Sequence, residues 1–258
     1  MGAAWQLGPC KPLVSMNPQG AITTVTFFRY ESLPDKWWGF KQMGLSAERL
    51  KGVAGLRFYK MLGSGAGNGF SIWPNFGVYG LLQVWEDEAA ALAFGESHEL
   101  FRESLGRAAG WWRIFLQAAK SHGEWEGASP FPITTGYDTE KPVAVLTRAT
   151  IYPRHLWRFW RFVPPVSRSI AQKEGLLFSV GVGELPLIQQ ATFSLWANSH
   201  HMMAYAYQSE HHKKVVRRTR ELGWYREELF CRFHPYRSEG DWENGQTPAD
   251  SLFHPLTA

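Results

Sequence analysis

Only two cysteines, Cys10 and Cys231, occur in 258 residues, and they stand too far apart to form a CxxC pair. That scarcity excludes a disulfide framework or a thiolate zinc site and fits a reducing compartment. Charge is also sparse: Asp, Glu, Lys and Arg make up 19% of the chain, with a net charge of +4 spread along its length. No concentrated basic face results, so nucleic-acid binding is not expected. No apolar run approaches the roughly 20 residues of a transmembrane helix, since even the stretch from Val143 to Tyr152 is broken by Arg148. The expected location is cytoplasmic, with the chain soluble or peripheral at a membrane. GxSxG, Walker and HExxH motifs are missing as well. The run Gly63-Ser64-Gly65-Ala66-Gly67-Asn68-Gly69 has the composition of a phosphate loop but lacks the Gly-Lys-Ser/Thr that completes one. It reads as a flap or a long strand connection.

Aromatic residues, by contrast, are abundant, with 13 Trp and 17 Phe bringing the aromatic share to 15%. That exceeds what small cores need and points to a ligand, a partner or a membrane beside ordinary packing. The aromatics also mark an internal repeat. Val25 to Arg29, Trp37-Trp38-Gly39-Phe40, Gly55-Leu56-Arg57-Phe58, Trp85, Gly110-Trp111 and Gly123-Glu124-Trp125 recur in order. Their counterparts are Ala144 to Arg148, Trp157-Arg158-Phe159-Trp160, Gly175-Leu176-Leu177-Phe178, Trp196, Gly223-Trp224 and Gly240-Asp241-Trp242. Order and spacing both survive at an offset of about 111 to about 120 residues, so the chain is a tandem duplication.

Each half reads as strand, helix, strand, strand, helix, strand. Ile22 to Tyr30 is β-branched and aromatic, Pro34 opens a helix through Met43, and Gly55 to Leu62 and Val78 to Trp85 are strands. Glu86 to Leu105 is helical and Arg113 to Ala118 is a strand. The second half repeats this with a helix from Pro153, strands at Leu177 to Val182 and Ala191 to Trp196, a helix over Ser199 to Glu221, and a strand at Glu228 to Phe233. The expected fold class is α+β: a tandem duplication of ferredoxin-like βαββαβ modules whose sheets pack together as a dimeric-type α+β barrel. Residues 1–20 form an irregular lead-in, 21–126 the first module, 127–142 a breaker-rich linker, 143–242 the second module and 243–258 a tail.

Histidine offers the one opening for metal chemistry. The second-half helix carries His200-His201 and His211-His212, and helical neighbours point about 100° apart, so both members of a pair cannot face inward. Val215, Val216, Thr219 and Leu222 define a buried stripe that either His211 or His212 could ride. No cluster of His, Asp and Glu at multi-ligand spacing accompanies them. A haem iron needs only one axial His, because the porphyrin supplies four nitrogens. Arg29 and Arg148, at matching ends of the first strands, are candidate catalytic residues able to hold or orient an anionic or polar ligand.

Several blocks together resemble the spheroidene monooxygenase family of bacterial carotenoid biosynthesis. They are Thr24 to Arg29, Trp38 to Gly44, Gly55 to Gly65, Leu146 to Ile151, Val180 to Pro186, Thr192 to Trp196 and Leu222 to Phe230. The resemblance implies a haem oxygenase that introduces a keto group at C2 of acyclic carotenoids such as spheroidene, using dioxygen and electrons from reduced ferredoxin. In the family pattern a His stands twelve residues before the Gly-Trp tryptophan, with Val or Ile four residues on. His212 meets both conditions against Trp224 and Val216; His211 stands beside it as the alternative iron ligand. Oxidising an unactivated carbon is beyond amino-acid side chains, so a redox cofactor is required. Trp37, Trp38, Trp157 and Trp160 are candidates to line a path for the flat polyene. The basic, aromatic segment from Trp157 to Val163 is the candidate for lying against a bilayer. Other haem chemistry on the same barrel, of dehydratase or dismutase type, and a non-catalytic haem or carotenoid carrier are the alternatives.

Overall fold

The computed structural model describes residues 20–66, 73–162, 173–208 and 222–253. Its strands are β1 (Ile22–Arg29), β2 (Leu56–Gly65), β3 (Pro74–Trp85), β4 (Gly110–Gly123), β5 (Val143–Ile151), β6 (Leu176–Leu185), β7 (Gln189–Trp196) and β8 (Tyr225–Asp241). They close into one antiparallel barrel in the order β1-β3-β2-β6-β7-β5-β8-β4. Within it, β4-β1-β3-β2 and β8-β5-β7-β6 have the same internal order, so the duplication seen in the sequence is a duplication of sheets. The two sheets do more than face one another: they are hydrogen-bonded at both edges. One seam is long, with β4 paired along most of β8, and the other is short, with β2 meeting β6 only at Gly63↔Gly183 and Ser64↔Val182.

The helices are α1 (Leu33–Leu50), α2 (Glu88–Ser97), α3 (Glu99–Arg107), α4 (Leu156–Phe162), α5 (Ser199–Gln208) and α6 (Asp250–Phe253). Ser32 caps α1 by accepting the Asp35 N–H at 3.2 Å, with Pro34 in the first turn, and Asp87 caps α2 at Ala90 N, 2.8 Å away. The long helix expected over Glu86 to Leu105 is two helices broken at His98, whose extended backbone ends α2 and starts α3. Gly39 explains how closely α1 lies on the sheet, since a Cβ there would meet the Tyr30 and Tyr79 rings at 2.8 Å.

Strand alternation divides the side chains between the barrel interior and the outer, helix-facing side. Val25, Phe27, Trp112, Ile114, Leu146, Phe193 and Phe233 point inward and are buried. Trp112 meets Phe178 at 4.8 Å and Phe27 at 5.8 Å between ring centroids, so the described interior is packed with rings. Phe28, Tyr30, Leu81, Trp85, Phe94 and Phe101 fill the space between the first sheet and its helices. The stretch between β4 and β5 also packs: Phe131 is buried in the barrel core, 5.2 Å from the Phe233 ring.

Candidate functional site

A filled interior leaves the outer faces of the sheets as places for chemistry, and pairing registers allow those faces to be compared position by position. Thr26 of β1 lies between Leu81 and Arg113, as Thr147 of β5 lies between Thr192 and Phe230. From that anchor, Phe28 corresponds to Ala149, Leu81 to Thr192, Tyr79 to Gln190 and Gln83 to Ser194. Met61 and Tyr59 of β2 correspond to Gly181 and Ser179 of β6. Large side chains on the first sheet are thus replaced by small or polar ones on the second. The result is a floor of Ala149, Gly181, Ser179, Thr192 and Ser194, with Ser179 Oγ buried and without a hydrogen-bond partner among the described residues.

Where large residues persist they repeat the first module. Trp196 stacks on Tyr205 of α5 at 5.6 Å as Trp85 meets Phe94 of α2 at 5.2 Å. The indole N–H donates to a neighbouring strand hydroxyl in each case, Ser194 in one and Thr24 in the other. His201, at the start of α5, packs over Gly175, where a Cβ would strike its ring at 2.3 Å. His200 is exposed and pairs with Glu140 at 2.7 Å. His211 and His212 lie outside the described residues, and among the described residues no three His, Cys, Asp or Glu gather as a metal site.

The floor runs into a groove of about 220 Å³ along the short β2–β6 seam. Phe40 and Met43 of α1, Phe76 and Tyr79 of β3, and Leu187 and Gln190 from the β6–β7 hairpin line it. Gln190 belongs to both, being paired with Ala149 on one side and Gly183 on the other. Burial pushes the Tyr79 phenol up to about 12, so it stays protonated and donates to the Lys36 carbonyl at 3.4 Å.

The tryptophans singled out by sequence fall in different settings. Trp37 is 60% exposed and stacks on Phe40 at 5.4 Å, and Trp160 donates its indole N–H to the Leu187 carbonyl at 3.1 Å. These two therefore stand on opposite rims of the groove. Trp157 is 81% exposed on α4, while Trp38 packs edge-on against Tyr30 at 5.9 Å beneath Arg107.

Arg29 and Arg148 are not brought together; they sit near opposite ends of β8. Arg29 pairs with Glu31 at 2.7 Å and donates to the Trp242 carbonyl at 3.0 Å. Arg148 is 1% exposed, points into the barrel, and is paired with Glu227 and, at 3.6 Å, with Glu184. Lys60 reaches Glu184 and Glu126 at 2.8 Å each, and the Trp125 indole donates to Glu184 at 2.9 Å. Burial works to raise the Glu227 pKa, but hydrogen bonds from the Gly127 and Glu126 backbone and from Arg148 hold it below the usual carboxylate value. This network was not legible from spacing, because its members come from β2, β5, β6 and β8. Cys231 is buried in the same interior, where desolvation pushes its thiol pKa up and leaves it a poor nucleophile.

No protein-family model matches the chain. It is 34% identical over 239 residues to spheroidene monooxygenase of Rhodobacter capsulatus, covering 92% of this chain and 99% of that one. The chain belongs to the spheroidene monooxygenase family. It is 32% identical to the Cereibacter sphaeroides member over 89% of this chain and 71% of the relative. Family membership makes it an oxidoreductase. Among solved structures, an aldoxime dehydratase superposes with a TM-score of 0.59 at 12% identity, covering 97% of this chain and 93% of that one. A second aldoxime dehydratase gives 0.56 at 10% identity, over 95% and 88%. At such identities the likeness extends to the barrel fold alone. The expected α+β barrel of duplicated modules is the observed one.

Proposed function

We propose that this member of the spheroidene monooxygenase family is a haem-dependent oxygenase that introduces the keto group at C2 of an acyclic carotenoid such as spheroidene. It would consume dioxygen and take electrons from reduced ferredoxin. Converting a methylene to a ketone balances as two oxygenations. Each takes one dioxygen, two electrons and two protons and releases one water, and the resulting gem-diol loses water. The observation that supports the reading is the floor of the second sheet, where Ala149, Thr192 and Gly181 stand in the positions of the Phe28, Leu81 and Met61 of the first module, a change in side-chain volume suited to a large planar group.

The residues present fit haem in that position. Ala149 and Gly181 carry less side-chain volume than the Phe28 and Met61 of the first module, and Ser179 Oγ is a buried polar atom without a partner among the described residues. His212 would hold the iron, with His211 as the alternative. Bound haem would supply the oxygen activation that side chains lack. The groove would deliver the chain end of the polyene, with Phe40, Phe76 and Leu187 excluding water and Gln190 offering a hydrogen bond where groove and floor meet. Arg148 serves the barrel's ion network in this reading, and a propionate-holding role for it would require breaking its pair with Glu227.

The purified protein should show an intense Soret absorption and, with ferredoxin, dioxygen and spheroidene, should yield the 2-keto product. Haem without oxygen consumption would favour a carrier, and turnover without haem would remove the cofactor assignment.

A further inference from the structure

The rims of the groove carry most of the large apolar side chains that the described residues leave in water. Leu33, Trp37 and Phe40 recur at helical spacing on α1 and are all exposed, although a helix of this kind would normally bury such a stripe. Phe76, half exposed, meets Phe40 edge-on at 5.9 Å. Across the groove stand Leu187 and, through the Trp160–Leu187 hydrogen bond, α4 with its projecting Trp157. The contacts make this one continuous face spanning the two modules.

Its charge has one sign. Lys41 on α1 and Arg154, Arg158 and Arg161 in and before α4 are exposed, and the segment from Tyr152 to Phe162 holds no acid. The neighbouring acids are neutralised: Asp35 by Arg107 at 3.0 Å, Glu31 by Arg29 at 2.7 Å, and Glu184 by Lys60 at 2.8 Å. Aromatic rings beside cations that form no salt bridge among the described residues match an interface of acyl chains and anionic headgroups. A protein partner of the usual kind would be expected to meet fewer bare cations among its apolar contacts. No helix among the described residues is long and apolar enough to cross a membrane, so contact through this face would be peripheral.

We propose that the face around the β2–β6 seam docks on an anionic lipid bilayer, placing the mouth of the groove at the headgroup level. The proposal extends the functional reading, because a carotenoid resides among acyl chains, but its readout is binding and does not depend on turnover. The full-length protein should sediment with vesicles of phosphatidylcholine containing about one-third phosphatidylglycerol. Binding should fall at least about fivefold on neutral vesicles or at about 0.5 M salt. The Trp37→Ser/Phe76→Ser pair and the Lys41→Glu/Arg158→Glu pair should each weaken binding by about tenfold or more. Ile133→Ser, an equally exposed apolar side chain off this face, should bind like the wild type. Should a double variant lose its cooperative melt, Trp157→Ser alone replaces it, since that side chain is too exposed to support the core. No vesicle binding by the wild type, unchanged binding in the face variants, or an equal loss in Ile133→Ser would each overturn the proposal. Spheroidene turnover in detergent without vesicle binding would sink the docking face and leave the activity standing; vesicle binding without turnover would do the reverse.

Discussion

The first and second sheets share strand order, register and the Trp that anchors each helix, yet their outer faces are built to opposite ends. Phe28, Leu81, Met61 and Tyr59 make the first a core that three helices cover. Ala149, Thr192, Gly181 and Ser179 make the second a floor, on which Thr147 is exposed where its counterpart Thr26 is fully buried. The two sheets are equivalent in strand order; one carries large packed side chains and the other, in the proposed reading, serves a ligand. Loss of side-chain volume, without any new motif, is the mark of that change.

The most severe test of this contrast is the iron ligand. His212→Ala should abolish the Soret band and activity, while His211→Ala should retain both, because adjacent side chains of the helix expected from the sequence diverge by about 100°; the opposite outcome in absorption spectra would exchange the two assignments. Next come reciprocal substitutions on the sheets. Phe28→Ala should destabilise the protein by about 3–5 kcal/mol in denaturant unfolding and leave haem affinity unchanged. Ala149→Phe should weaken haem by about tenfold or more, ~1.4 kcal/mol or above, at little cost in melting temperature. If both behave as core mutations, the floor is merely a differently packed core.

Removing one partner of the buried interior network is expected to cost about as much as a core cavity. Arg148→Met removes the ion pair of Glu227, which keeps only its backbone hydrogen bonds, while Glu184 retains Lys60, so a loss of about 3 kcal/mol should appear in unfolding. Haem absorption should persist, unless Arg148 is a propionate partner after all. The smallest effect is on pH dependence. The folded pKa of Glu227 is depressed, so its stabilising contribution is fully present above the ordinary carboxylate value of about 4.3 and is lost as pH falls below it. Glu227→Gln should flatten that acid limb of a thermal-stability profile, and an unaltered limb would assign it to other carboxylates.

Much of the fold was legible because it rests on local signals. β-Branched strands, Pro34 in a first turn and the recurrence of Trp85 as Trp196 specify two similar modules before any contact is known. The closed barrel was less accessible: the β2–β6 seam rests on Gly63, Ser64, Val182 and Gly183, residues with no patterning that announces a partner strand. Site residues divided in the same way. Trp37 and Trp160 were identifiable as surplus aromatics, but their positions across one groove depend on Leu187 and Phe40. Arg29 and Arg148 matched by position in the sequence repeat, but strand register sets Arg148 beside Ala191 and Leu229 as Phe27 lies beside Gly80 and Trp112, so the two arginines are not structural equivalents and meet different partners. The floor was hidden for a simpler reason: Ala149 or Gly181 carries no chemistry alone, and only register against Phe28 and Met61 shows what is missing.

Arg148 lies over the ring of Trp125, which closes the first module, and Arg29 lies over the ring of Trp242, which closes the second. Each half therefore lends its terminal indole to the other's arginine. A single half standing alone would have neither contact. Fusing the copies made the exchange intramolecular and concentration-independent. It also frees the two sequences from identity, so that their outer faces can differ as Phe28 and Ala149 do.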